Sequence, residues 1–150
     1  MTDDFSLEPI KMQALAFAQE LRDSSKLLAG FGLALSENQI QNLAVHRAQA
    51  LKNTGRVEFG DGIMQKLVYA FCDSPYILQS DLEETLIELQ DSFYYFKNES
   101  DDALIDDELI EYMKRYFDGR AGGSIEYLAG ITLDELFRNA DEHEMDYKDR

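Results

Sequence analysis

Apolar side chains return every three or four positions through most of this chain, the period of an α-helix with one buried face. The clearest run is Leu82, Leu86, Leu89, Phe93 and Phe96, which predicts a helix over 81–97. Ser80 is placed to cap that helix, with Glu83 reaching back. Leu7, Ile10, Ala14, Phe17, Leu21 and Leu28, with Ser24 filling one gap, predict a first helix over 8–28. Pro9 would then occupy the first turn, where a missing N–H costs nothing. Gly30 and Gly32 supply its termination.

Ser36 and Gln39 have the spacing of a capping box, and Leu35 and Ile40 that of a hydrophobic staple. Ile40, Leu43, Ala44 and Leu51 continue the stripe of this second helix, which should stop near Asn53 with Gly55 as its left-handed terminus. Residues 56–59 alternate too briefly for an independent sheet and lead into Gly60-Asp61-Gly62, so a structured loop is expected. The third helix, over 63–72, carries Ile63, Met64, Leu67, Val68, Ala70 and Phe71 around more than half its circumference and should lie centrally. Ser74-Pro75 stops it. A polar loop over 98–102 leads to a fifth helix over 106–117. There Leu109, Ile110, Met113, Tyr116 and Phe117 face inward, and acids at the start and Lys114 and Arg115 at the end complement the helix dipole. Ser124 to Ala129 allows one more turn. Thr132 and Glu135, with Ile131 and Leu136, mark a last helix ending near Ala140. The expected fold is all-α: a compact irregular bundle of five or six helices with short loops. One domain spans 1–140, followed by a flexible acidic tail over 141–150.

Charge changes this picture more than composition does. An apolar fraction of 45% is ordinary for a folded domain of 150 residues. The formal charge is −16, and residues 76–150 carry −14 of it. A field of that sign repels phosphate backbones and anionic lipid, so neither direct nucleic-acid binding nor membrane binding is expected. No apolar run approaches the roughly 18 residues of a membrane span, and the acidic start lacks a signal-peptide pattern, so the cytoplasm is the expected location. Cys72 is the only cysteine, which excludes an internal disulfide and reads as a small buried hydrophobe.

Several segments resemble a known family. GRVEFGDGIMQKLVYAFCDSPYI from Gly55, FYYFKNES from Phe93, DELIEYMKRYFDG from Asp107 and the stretch from Gly123 to Leu128 are similar to short bacterial proteins, largely from Firmicutes, grouped as a domain of unknown function. The resemblance covers most of 35–139. It implies a bacterial source and one compact unit, and it carries no activity, cofactor or catalytic residue.

Motifs for chemistry are missing. Gly55 to Gly62 contains neither phosphate-loop pattern. The acids over 101–108 lack the central glycine of a calcium loop, and no Glu-x-x-His pair suits a di-iron bundle. No catalytic residues, metal ligands or cofactors are therefore assigned. Arg47, at the edge of the second helix's stripe, is expected to pair with an acid from the second half of the chain. The aromatics say more. Phe93, Tyr94, Tyr95 and Phe96 are consecutive and cannot all face inward on one helix, so at least one should reach an edge or groove. Tyrosine suits interfaces by combining apolar area with a polar handle. The leading expectation is a protein-interaction or adaptor module with an aromatic-rich helical surface, bound to an unknown protein partner or to itself as a homo-oligomer. A second is a small-ligand protein or enzyme with a pocket near Arg56, Asp61, Tyr69 and Tyr94. A third is an acidic nucleic-acid mimic. Arg56, Asp61, Tyr69, Tyr94, Tyr95 and Tyr112 are the ligand or interface candidates.

Overall fold

The computed structural model describes residues 2–56, 63–101 and 103–138, with side chains from Leu15 onward. Six α-helices are named: α1 (Thr2–Ala29), α2 (Glu37–Thr54), α3 (Ile63–Phe71), α4 (Leu82–Glu99), α5 (Asp106–Asp118) and α6 (Ile125–Ala129). A 3-10 turn (Gln79–Asp81) precedes α4, and residues 133–138 are also helical. Among the described residues there is no strand, and the all-α bundle expected from periodicity is what the chain forms. The expected end near Ala140 and the tail over 141–150 lie outside the described residues.

Local chemistry sets most boundaries. Ser36 Oγ accepts from the Gln39 N–H at 3.1 Å, and Gln39 Oε1 accepts from the Ser36 N–H at 2.9 Å, completing the capping box of α2. Gly55 closes α2 with φ of 69°, a left-handed conformation that costs a glycine little. Ser124 Oγ accepts from the Tyr127 N–H at the start of α6, and Thr132 Oγ1 accepts from Glu135 before the last helical segment.

Two expected starts move. The first helix begins at Thr2, so Pro9 falls in its interior instead of its first turn. A proline there already holds the helical φ, but it forfeits one backbone hydrogen bond and its ring crowds the carbonyl four residues back, at a cost of about 3 kcal/mol or more. Ser80 does not cap α4, because it lies inside the 3-10 turn, and Asp81 at the junction makes no side-chain cap bond. The Gln79 amide fixes that entry instead. It donates to Ala34 O at 2.8 Å and accepts from Ala34 N at 2.7 Å, tying the turn to the link between α1 and α2.

The buried side chains from α1 to the last helical segment make one continuous core. α4 packs against α2, α3, α5 and α6, while α1 packs against α2 and α3. All five large apolar side chains of α3 from Ile63 to Phe71 are buried, as expected of a central helix. Arg47 corrects an expectation. It is 2% exposed and donates to Glu20 on α1 at 2.9 Å, with its guanidinium 3.3 Å from the centre of the Phe17 ring. The partner seen among the described residues thus comes from the first half of the chain, because α2 turns that face toward α1 and not toward α4. The neighbouring His46 makes the link to the second half, with Nε2 3.0 Å from Asp91 Oδ1 on α4.

Candidate functional site

Two recesses lie between helices. The first runs between α3 and α5. Burial of the apolar face of α3 leaves Gln65, Lys66, Tyr69 and Ala70 on the arc that looks toward α5, which offers Asp107, Ile110, Glu111 and Lys114. The space is about 600 Å³, within the range of binding clefts. Ile110 is buried and forms part of the apolar lining, while Tyr69 stands 75% exposed. Charged pairs frame the opening. Lys66 meets Asp107 at 3.1 Å. Lys114 donates to Ala70 O at 2.8 Å and to Asp73 at 2.6 Å, and lies 3.4 Å from Asp118. A lysine beside the carbonyl end of α3 complements that helix's dipole and holds α3 to α5. Arg115 pairs with Glu111 along α5.

The second recess, about 440 Å³, lies between α2 and α4. His46, Gln49, Asn53 and Thr54 line it from α2, and Asp91, Tyr94, Tyr95, Asn98 and Glu99 from α4. Gln49 donates its amide to Asn53 Oδ1 at 2.9 Å, one turn along the helix. Arg56 donates to Asn98 Oδ1 at 2.6 Å. Three of the four consecutive aromatics, Phe93, Tyr94 and Phe96, are buried, and Tyr95 alone reaches the surface at 44% exposure. The Tyr95 ring is braced edge-on by Phe96, with centroids 5.4 Å apart.

The sequence candidates divide between these places. Tyr69 belongs to the α3–α5 groove. Tyr94 and Tyr95 line the α2–α4 recess, and Arg56 reaches Asn98 at its edge. Tyr112 is half-buried, edge-on to Phe137 at 4.9 Å, beside a shallow 160 Å³ depression with Glu108, Glu111 and Arg115. Asp61 lies outside the described residues. Tyr69 and Tyr94 thus line different recesses. Sequence reasoning missed Gln49, Asn53 and Asn98, and it missed the pairing of His46 with Asp91. The amides carried a signal, since Gln49 and Asn53 sit four apart on the polar face of α2.

Neither Cys72 nor Tyr116 lines these recesses. Burial pushes the Cys72 thiol up from its ordinary value, and it does the same to the Tyr116 hydroxyl. Among the described residues, no group of three or more His, Cys, Asp or Glu is arranged to hold a metal ion. No described helix is long and apolar enough to cross a membrane.

A family model matches residues 20–146, which is most of the chain and includes every helix that builds the two recesses. The chain belongs to the family of unknown function DUF6323. No curated protein and no solved structure matches it. The family therefore brings membership without an activity, and a functional reading has to come from the geometry of the two recesses.

Proposed function

We propose that this member of DUF6323 is a protein-interaction module whose α3–α5 groove receives an amphipathic helix carrying basic residues beside its apolar face. The observation that carries this is Tyr69, a large aromatic standing 75% exposed at the edge of an apolar groove framed by charged pairs. Aromatic anchors inside a polar rim are the usual centre of binding energy at protein interfaces. A groove between two helices suits an incoming helix that presents residues at three- and four-residue steps.

Charge selects the partner. Asp107, Glu111, Asp73 and Asp118 outnumber Lys66, Lys114 and Arg115 around the groove, and the chain as a whole carries −16. A basic segment is steered toward such a surface, whereas a second copy of the chain is repelled. That favours a heterologous partner over a homo-oligomer, and it disfavours nucleic acid. The same reading puts the protein in the cytoplasm, where the lone buried Cys72 would stay reduced.

Fluorescence anisotropy with a labelled Leu/Lys amphipathic helix tests the reading. Saturable binding that weakens with salt is expected, and Tyr69→Ala should weaken it about tenfold or more. Equal binding of a Leu/Glu helix, or no effect of Tyr69→Ala, would contradict it. A dimer found by light scattering at low salt, unaffected by the peptide, would favour self-association instead.

A further inference from the structure

We propose that the α2–α4 recess is a separate binding site for a small, planar, uncharged nitrogen heterocycle of the nucleobase type. The inference stands on the hydrogen-bonding groups that remain after the recess satisfies itself. Gln49 spends an amide N–H on Asn53 Oδ1, which leaves the Gln49 carbonyl oxygen as an acceptor and the Asn53 amide nitrogen as a donor. Arg56 occupies Asn98 Oδ1, which leaves the Asn98 amide nitrogen as a second donor. Thr54 is turned away, donating to the Ala50 carbonyl at 2.8 Å. Asp91 is held by His46.

A nucleobase edge offers both N–H donors and ring-nitrogen or carbonyl acceptors, so it can bond to both kinds of group. Asparagine and glutamine amides read such edges by paired hydrogen bonds. The Tyr95 ring, half in solvent and braced by Phe96, supplies a face for stacking, an interaction every base can make. The volume of about 440 Å³ has room for a base with its sugar. The carboxylates of Asp91 and Glu99 line the recess, none of the lining residues is Lys or Arg, and Arg56 at its edge is bonded to Asn98. Two carboxylates oppose a phosphate there, which selects a base or nucleoside over a nucleotide. This site shares no lining residue with the α3–α5 groove, so the two proposals stand or fall separately.

Titration of the whole chain with adenosine, cytidine, uridine and AMP, followed by backbone amide shifts, tests it. At least one nucleoside should saturate with shifts centred on Gln49, Asn53, Tyr95 and Asn98. Tyr95→Ala and Asn53→Leu should each weaken binding about tenfold, whereas Tyr95→Phe should retain it. AMP should bind at least tenfold more weakly than adenosine. Absence of saturation by every nucleoside at millimolar concentration, or shifts centred elsewhere, would overturn the site. AMP binding as tightly as adenosine would overturn its assignment to uncharged ligands. Circular dichroism confirms that each variant remains helical.

Discussion

Arg47 shows how a single residue is fixed by its surroundings. Its guanidinium lies between the Glu20 carboxylate and the Phe17 ring, so it is desolvated, paired and packed at once. Removing it takes away the ion pair with Glu20 and the packing on Phe17, and opens a cavity. Arg47→Ala should destabilise the fold by about 3–5 kcal/mol in urea melts, and a loss below about 1 kcal/mol would mean that the pair is dispensable. Gln90 presents the opposite case. It is wholly buried on α4, and neither polar atom of its amide has a hydrogen-bond partner. A buried amide without partners costs roughly 1–3 kcal/mol, so Gln90→Met, which keeps the volume, should raise stability by about 1 kcal/mol. A marked loss in the same melts would refute that account. Gly123 has φ of 86°, and an added Cβ would fall 2.2 Å from Cγ of Tyr76. Gly32 has φ of 76° with open space around it. Gly123→Ala should therefore cost well over 2 kcal/mol, and Gly32→Ala only about 1–2 kcal/mol. Equal costs would show that the Tyr76 ring yields freely.

At the scale of elements, periodicity carried most of what could be read in advance. The run from Leu82 to Phe96 is buried along its length in α4, and Leu86→Ala or Leu89→Ala should each cost about 2–5 kcal/mol. Caps were legible where a short side chain meets its own helix, as at Ser36 and Thr132, because the bonding partners lie within a few residues. They were illegible where the chain enters from a distance. Ser80 had the right spacing, yet the entry to α4 is held by Gln79 on Ala34, a contact between residues 45 positions apart. Arg47 failed for the same reason: sequence marks a cation beside an apolar stripe but not which helix that face meets. The candidate site was legible by residue type and not by grouping. Tyr69 lies on the polar arc of α3 and Tyr95 on the outer arc of α4, both readable from the helical period. That they serve different recesses depends on which helices neighbour them.

At the scale of the molecule, charge and burial set how the protein responds to its medium. Cys72 and Tyr116 are both held protonated by burial in the folded state, so their folded values lie above the unfolded ones. Their contribution to stability is full below the unfolded values and is lost as pH rises past them. Stability should therefore fall above about pH 9, the ordinary value for the thiol, and Cys72→Ala should remove part of that fall. A pH-independent melting temperature between pH 8 and 10.5 would contradict this. Acidity also bears on partners. Several acids near the α3–α5 groove are already matched by Lys66, Lys97, Lys114 and Arg115, and the excess gives the surface its sign. On the proposed reading, a basic, apolar partner is received at the exposed Tyr69 beside the α3–α5 cleft.

Where such a ligand lands is the most direct test. With a saturating Leu/Lys helix, nuclear Overhauser contacts from the peptide methyls should converge on the Tyr69 ring and the Ile110 methyls. Contacts scattered over the acidic surface, or gathered on helices other than α3 and α5, would contradict the proposed groove.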